Sequence, residues 1–140
     1  MMDFREKLKS LTVDSGQIKI GKVWCGYMIA KPELEPRVPN FVGVLGDREY
    51  FISSAVPEKF RKPIVAHELR CFALKALGQA GHCVHAVGFE LKFVLLKDRV
   101  EYLALRRKFF DDLIKYSKGR EDEFLREITA SRDHLYRLVV

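Results

Sequence analysis

Apolar positions recur along this chain at two periods, and the change from one to the other falls after Pro57. Before it, Phe4, Leu8 and Leu11 are spaced to line one face of a short first helix, and Gly16 ends that region. Residues 17–30, QIKIGKVWCGYMIA, carry β-branched and aromatic residues in partial alternation and read as one or two strands. The following KPELEPRVPN holds three prolines in eight residues and is a loop. Residues 41–46 and 49–55 are strand-like and close enough to pair as a hairpin, with Gly46-Asp47 at the turn.

Beyond Pro57 helical spacing takes over. Pro63 suits a first helical turn, where its missing N–H costs nothing. Residues 64–77 form the helix behind it, and Gly78 and Gly81 punctuate the chain. A second helix runs over about 82–96. Asp98 with Glu101 three residues later has the form of a capping box. Tyr102, Leu105, Phe109, Leu113 and Tyr116 then make a helical stripe that Gly119 breaks. Phe124, Ile128, Leu135 and Leu138 make a weaker stripe in a last helix. Strands first and helices later is the α+β pattern: a helix, a small antiparallel or mixed sheet, then a helical C-terminal half.

Composition narrows this to one domain. A chain of 140 residues, 48% hydrophobic with ten Phe, can bury a substantial core but not two. The formal charge of +6 permits contact with nucleic acid or an anionic surface. No basic stripe, recognition helix or aromatic–basic motif develops it, so nucleic acid ranks last among partners. Arg106, Arg107 and Lys108 read as a solvated helix face, because Asp111 and Asp112 follow within a turn. Cys25, Cys71 and Cys83 lack tandem C-x-x-C spacing and do not make a secreted disulfide framework. With no apolar signal core and no run of about 18 apolar residues, the expected location is the cytoplasm.

The stretch VAHELRCF, residues 65–72, carries the chemistry. His67 and Cys71 are one helical turn apart on one face, and zinc accepts imidazole nitrogen and thiolate sulfur alike. Glu68 follows the first of them, where a metalloprotease keeps its general base. Each residue also has a plainer reading: a satisfied buried histidine, a small buried thiol, and an acid favouring the helix N-terminus.

The longer segment YFISSAVPEKFRKPIVAHEL, residues 50–69, resembles the approach to the active helix in the ImmA/IrrE-type minimal zincins, through Ile52, Pro57, Arg61, Ala66, His67, Glu68 and Leu69. The resemblance implies a zincin-like core over residues 1–97 and a helical extension over 98–140. It implies an edge strand leading into the His-Glu helix, a bound zinc, and a peptide substrate lying along that edge by strand addition. It implies a third ligand from the next helix, where GHCVHAVGFEL offers His82, His85 and Glu90. His82 and Glu90 stand about 12 Å apart along a helix axis. The analogy favours Glu90, with His82 as the alternative. Cys83 reads as a buried or surface thiol, since it points about 100° away from His82.

The departure is Cys71, where the family has histidine, so the motif is His-Glu-x-x-Cys. A thiolate gives zinc more charge than imidazole does and leaves bound water less acidic. The expected function is a zinc metalloprotein, with peptidase activity the sharper form. The alternative is a non-catalytic zincin-like binding or regulatory protein. The C-terminal stripes pack on the sheet or on a second copy of the chain, which would make a homodimer.

Overall fold

The computed structural model describes residues 3–117, 119 and 122–138. Helix α1 (Phe4–Leu11) is capped by Asp3, whose carboxylate accepts the Glu6 N–H at 2.8 Å. It passes at once into strand β1 (Thr12–Ile20). Gly16, expected to end the first element, lies inside β1 opposite Tyr27. A Cβ at residue 16 would sit 2.5 Å from the Tyr27 hydroxyl, so the glycine makes room for a cross-strand ring. Gly21, at φ 63°, opens the turn into β2 (Val23–Ala30), which pairs antiparallel with β1.

A loop containing a short 3-10 turn (Pro32–Leu34) leads to β3 (Val42–Gly46) and β4 (Glu49–Ser53). The two pair antiparallel, as expected, but the connecting residues are Asp47 and Arg48, with Arg48 at φ 58°. A register shift between Val44 and Gly46 moves the turn one residue on. The sheet order is β1-β2-β4-β3, with β2 and β4 parallel, so the sheet is mixed. The strand that enters the His-Glu helix is therefore interior, not an edge. The loop carries the chain past β2 before β3 begins, and Ser54 N–H closes onto the Ala30 carbonyl at 2.8 Å. The edges are β1 and β3.

Ile29 and Ile52, partners across β2 and β4, are buried in one cluster with Phe60, Ile64, Val65 and Ala66. The last three belong to α2 (Arg61–Ala76), with Pro63 in its first turn. Helix α3 (His82–Glu90) is shorter than the 82–96 expected. The chain passes through two 3-10 turns, Leu91–Phe93 and Leu96–Asp98, with Leu95 extended between them. Six more helical residues would carry the chain about 9 Å beyond Glu90. Turning early returns α4 (Arg99–Tyr116) onto Glu90.

No capping box forms at α4: Asp98 makes no side-chain cap, and Asp98 and Glu101 both bind Lys59, at 3.3 and 2.7 Å. Helix α5 (Glu123–Arg137) is capped by Asp122, which accepts the Leu125 N–H. Buried residues of α4 and α5 join those of the sheet half in a single cluster. Among the described residues no helix is long and apolar enough to cross a membrane.

Candidate metal centre

The buried stripe of α2 is continuous from Pro63 to His67, and Cys71 follows one turn later, half-buried. Gly78 and Gly81, both at φ 74°, let the chain reverse so that the first turn of α3 meets this stripe. His67 Nε2 stands 3.5 Å from Cys83 Sγ. With Cys71 Sγ these atoms form a group of three potential ligands, all within 4.8 Å of one another. Such a buried His/Cys/Cys group can hold a metal ion. The sequence reads Cys83 as a buried or surface thiol and not as a ligand; the structure buries it beside His67. It is twelve residues from Cys71 on another helix, and only the two-glycine turn hints that the helices meet.

Glu90 lies outside this group. It is fully buried and accepts from Arg106 through both oxygens, at 2.8 Å from Nε and 3.1 Å from an Nη. The Tyr102 hydroxyl donates to it as well. Its Oε1 also stands 2.7 Å from His67 Nδ1, an ion-pair contact not aligned as a hydrogen bond. Burial alone would raise the Glu90 pKa, yet the charges of Arg106 and His67 hold it below the ordinary carboxylate value. The same contacts act on His67: burial lowers its pKa, but the Glu90 charge and a hydrogen bond with Cys83 raise it to about 10. Glu90 thus faces one ring nitrogen of His67, and the other, Nε2, faces Cys83.

Arg106 was expected on a solvated face and is 1% exposed. Its neighbours divide the rest of that cluster. Arg107 donates to the Leu135 and Leu138 carbonyls at the end of α5, and Lys108 pairs with Asp112 at 2.8 Å. His85 is exposed on α3, and exposed Arg70 lies 5.2 Å over the Phe89 ring. Trp24 is an exposed aromatic on strand β2, with the Lys19 amine 5.8 Å over its ring.

His82 belongs to a second group, with Glu123 and Glu127 of α5. Its Nδ1 is 3.1 Å from Cys71 Sγ, so the ring touches the first group without joining it. Glu127 accepts the backbone N–H of Gly81 and of Cys83, each at 3.0 Å. It caps α3 from across the fold, where the N-cap residue Gly81 has no side chain to do so. Glu127→Ala is expected to cost about 1–3 kcal/mol, since two charge-assisted bonds are lost at a helix start. Urea unfolding with an unchanged m-value checks this.

Both groups open on one cleft of about 740 Å³. Its walls are mainly apolar: Val42 and Val44 of the edge strand β3, and Phe109, Phe110 and Leu113 of α4. Half-buried Glu68 lines the same cleft, and burial raises its pKa. No protein-family profile, no curated protein and no solved structure matches the chain.

Proposed function

We infer that the chain is a zinc-dependent hydrolase of peptide bonds, with zinc held by His67, Cys71 and Cys83 and with Glu68 as its general base. The observation that carries this reading is the spacing of the three donor atoms, all within 4.8 Å of one another, on residues that line the cleft. Bond lengths of about 2.0 Å to nitrogen and 2.3 Å to sulfur at tetrahedral angles separate such donors by about 3.5 Å. His67 Nε2 and Cys83 Sγ stand 3.5 Å apart. Three protein ligands leave one of four positions open, the mark of a catalytic site rather than a structural one.

Zinc bound there would supply a Lewis acid and make water more acidic. The chain's own groups do the rest. Glu68, pushed up by burial, suits a base that takes a proton from water and passes it to a leaving amide nitrogen. Glu90 fixes the ring of His67. The edge strand β3 offers unpaired backbone groups beside Val42 and Val44, where an extended peptide could add as a strand. The resemblance to the ImmA/IrrE-type metallopeptidases supports the reading through the His-Glu helix and its apolar approach, with Cys83 in the third place that the analogy gave to Glu90.

Protein purified without added metal is expected to contain at least one equivalent of zinc, and Cys83→Ala is expected to remove one equivalent. Glu68→Gln is expected to keep the zinc and lose peptide cleavage by about 100-fold or more. Absence of zinc after reconstitution sinks the reading.

Metal affinity is expected to climb steeply with pH. His67 keeps its proton to about pH 10 in the metal-free state. The Cys83 thiol is pushed upward by its hydrogen bond with Cys71 and by burial. Binding below these values displaces at least two protons, so affinity should rise about 100-fold per pH unit between pH 6 and 8. Competition with a chromophoric chelator at three pH values measures the slope. A slope near zero would contradict the ligand set.

A second reading has one contact in its favour. Cys71 Sγ and His82 Nδ1 are 3.1 Å apart, and a carboxylate of Glu123 faces the other nitrogen at 3.6 Å. A thiol, an imidazole and an orienting carboxylate form a nucleophile with its base. Iodoacetamide separates the two. Rapid alkylation of Cys71 in zinc-loaded protein, with loss of hydrolysis, favours the nucleophile; protection by zinc favours the metal site.

A further inference from the structure

We propose that a second divalent cation binds where α3 meets α5, held by His82, Glu123 and Glu127 and joined through the His82 ring to the thiol group. One ligand atom from each of the three lies within 4.8 Å of the others. The second observation is His82 itself. The residue is 6% exposed, yet its Nε2 makes no hydrogen bond. A buried polar nitrogen without a partner is costly and calls for one. Glu123 Oε1 stands 3.6 Å from it, too far for a hydrogen bond and close to the separation of two donors on one ion.

On the other side of the ring, Nδ1 faces Cys71 Sγ at 3.1 Å and Glu127 Oε1 at 3.5 Å. One ring nitrogen thus touches the thiol group, and the other is turned to Glu123.

The carboxylates are placed for this. Glu123 and Glu127 are one turn apart on α5 and so share a side of the helix. Each oxygen of Glu127 accepts one backbone N–H and retains a second lone pair. The start of α3 is a positive dipole end that opposes a cation, and two acids from α5 reverse the local charge there. The donor set of one nitrogen and two oxygens is harder than the His/Cys/Cys set and suits zinc, cobalt or manganese. This site stands independently of whether the first one cleaves peptides. It also gives a role to α5, which the zincin resemblance leaves unexplained.

Cobalt(II) is the probe, titrated into reduced, metal-free protein of full length. Two ions per chain are expected. The first brings a near-ultraviolet thiolate-to-cobalt charge-transfer band, and the second adds nothing to that band because its donors are nitrogen and oxygen. Glu123→Gln is the variant of choice, because Glu127 also caps α3 whereas the Glu123 side chain is 62% exposed. It is expected to bind one ion with the band intact, and the affinity for the second to fall at least 10-fold. One ion per wild-type chain, with the band, overturns the second site and leaves the first standing. Two ions retained in Glu123→Gln also overturn it, since both would then bind elsewhere. A single ion without the band, lost in Glu123→Gln, supports this site and overturns the thiol one.

Discussion

Arg106→Met is expected to destabilise the fold by about 3–5 kcal/mol, because it leaves a buried carboxylate without its main counter-charge. Glu90 is fully buried, and Arg106 supplies both of its guanidinium contacts. An isolated carboxylate in that place must either be stripped of water while charged or take up a proton. Methionine keeps most of the arginine volume, so the cost reads the charge rather than a cavity. The pair itself adds little net stability, since desolvating both ions consumes most of their attraction. The double variant Glu90→Leu with Arg106→Met is therefore expected to recover most of the loss, to within about 1–2 kcal/mol of the wild type. Urea unfolding of the four proteins closes the cycle. Additive losses would mean that the two side chains do not act as a pair.

The acid limb follows from the same group. The folded Glu90 pKa lies below its ordinary value of 4.5, so its stabilisation is present above 4.5 and fades as pH falls through the lowered value. His67 has the opposite sense. Its folded pKa of about 10 lies above the ordinary value of 6.5, so in the metal-free protein its contribution is full below 6.5 and lost as pH rises through 10.

The second large effect separates a ligand from its support. Cys83→Ala is expected to lower zinc affinity at the thiol group by a factor of about 1000 or more, since one of three protein donors is gone. Glu90→Gln is expected to weaken zinc by only about 10–100-fold, the range for a group that orients a ligand from behind. Isothermal titration or chelator competition on both variants orders them. The reverse order, with Glu90→Gln the more damaging, would restore Glu90 as a direct ligand. Circular dichroism on Cys83→Ala shows whether α3 keeps its fold, which Glu127 secures through the Cys83 backbone rather than its side chain.

Cleft, helices and ligand face were legible to different degrees. The period of 3.6 residues put His67 and Cys71 on one face of α2, and they are there. Of the stripe Tyr102, Leu105, Phe109, Leu113 and Tyr116, the first four turn into the shared core and Tyr116 is exposed. Arg106 could not be read this way. The acids of its own helix that are nearest in sequence, Glu101 and Asp111, are five residues away, and only the position of Glu90, sixteen residues earlier, makes burial of the guanidinium tolerable. Gly16 misled because a glycine in a strand and a glycine ending a helix look the same until the ring of Tyr27 is placed across from it.

Order of elements, and with it the α+β class, is a local property of this sequence. Strand periodicity, prolines and glycines act within a few residues, so the chain alone determined where sheet gives way to helix and that His67, Glu68 and Cys71 ride on one helix. Tertiary structure decided the remainder: β4 inside the sheet, Cys83 beside His67, Glu90 clamped by Arg106, and α5 capping α3 through Glu127. These contacts join residues on different elements. They depend on how helices and strands stack, and that is governed by the summed packing of the core rather than by the period of any one segment.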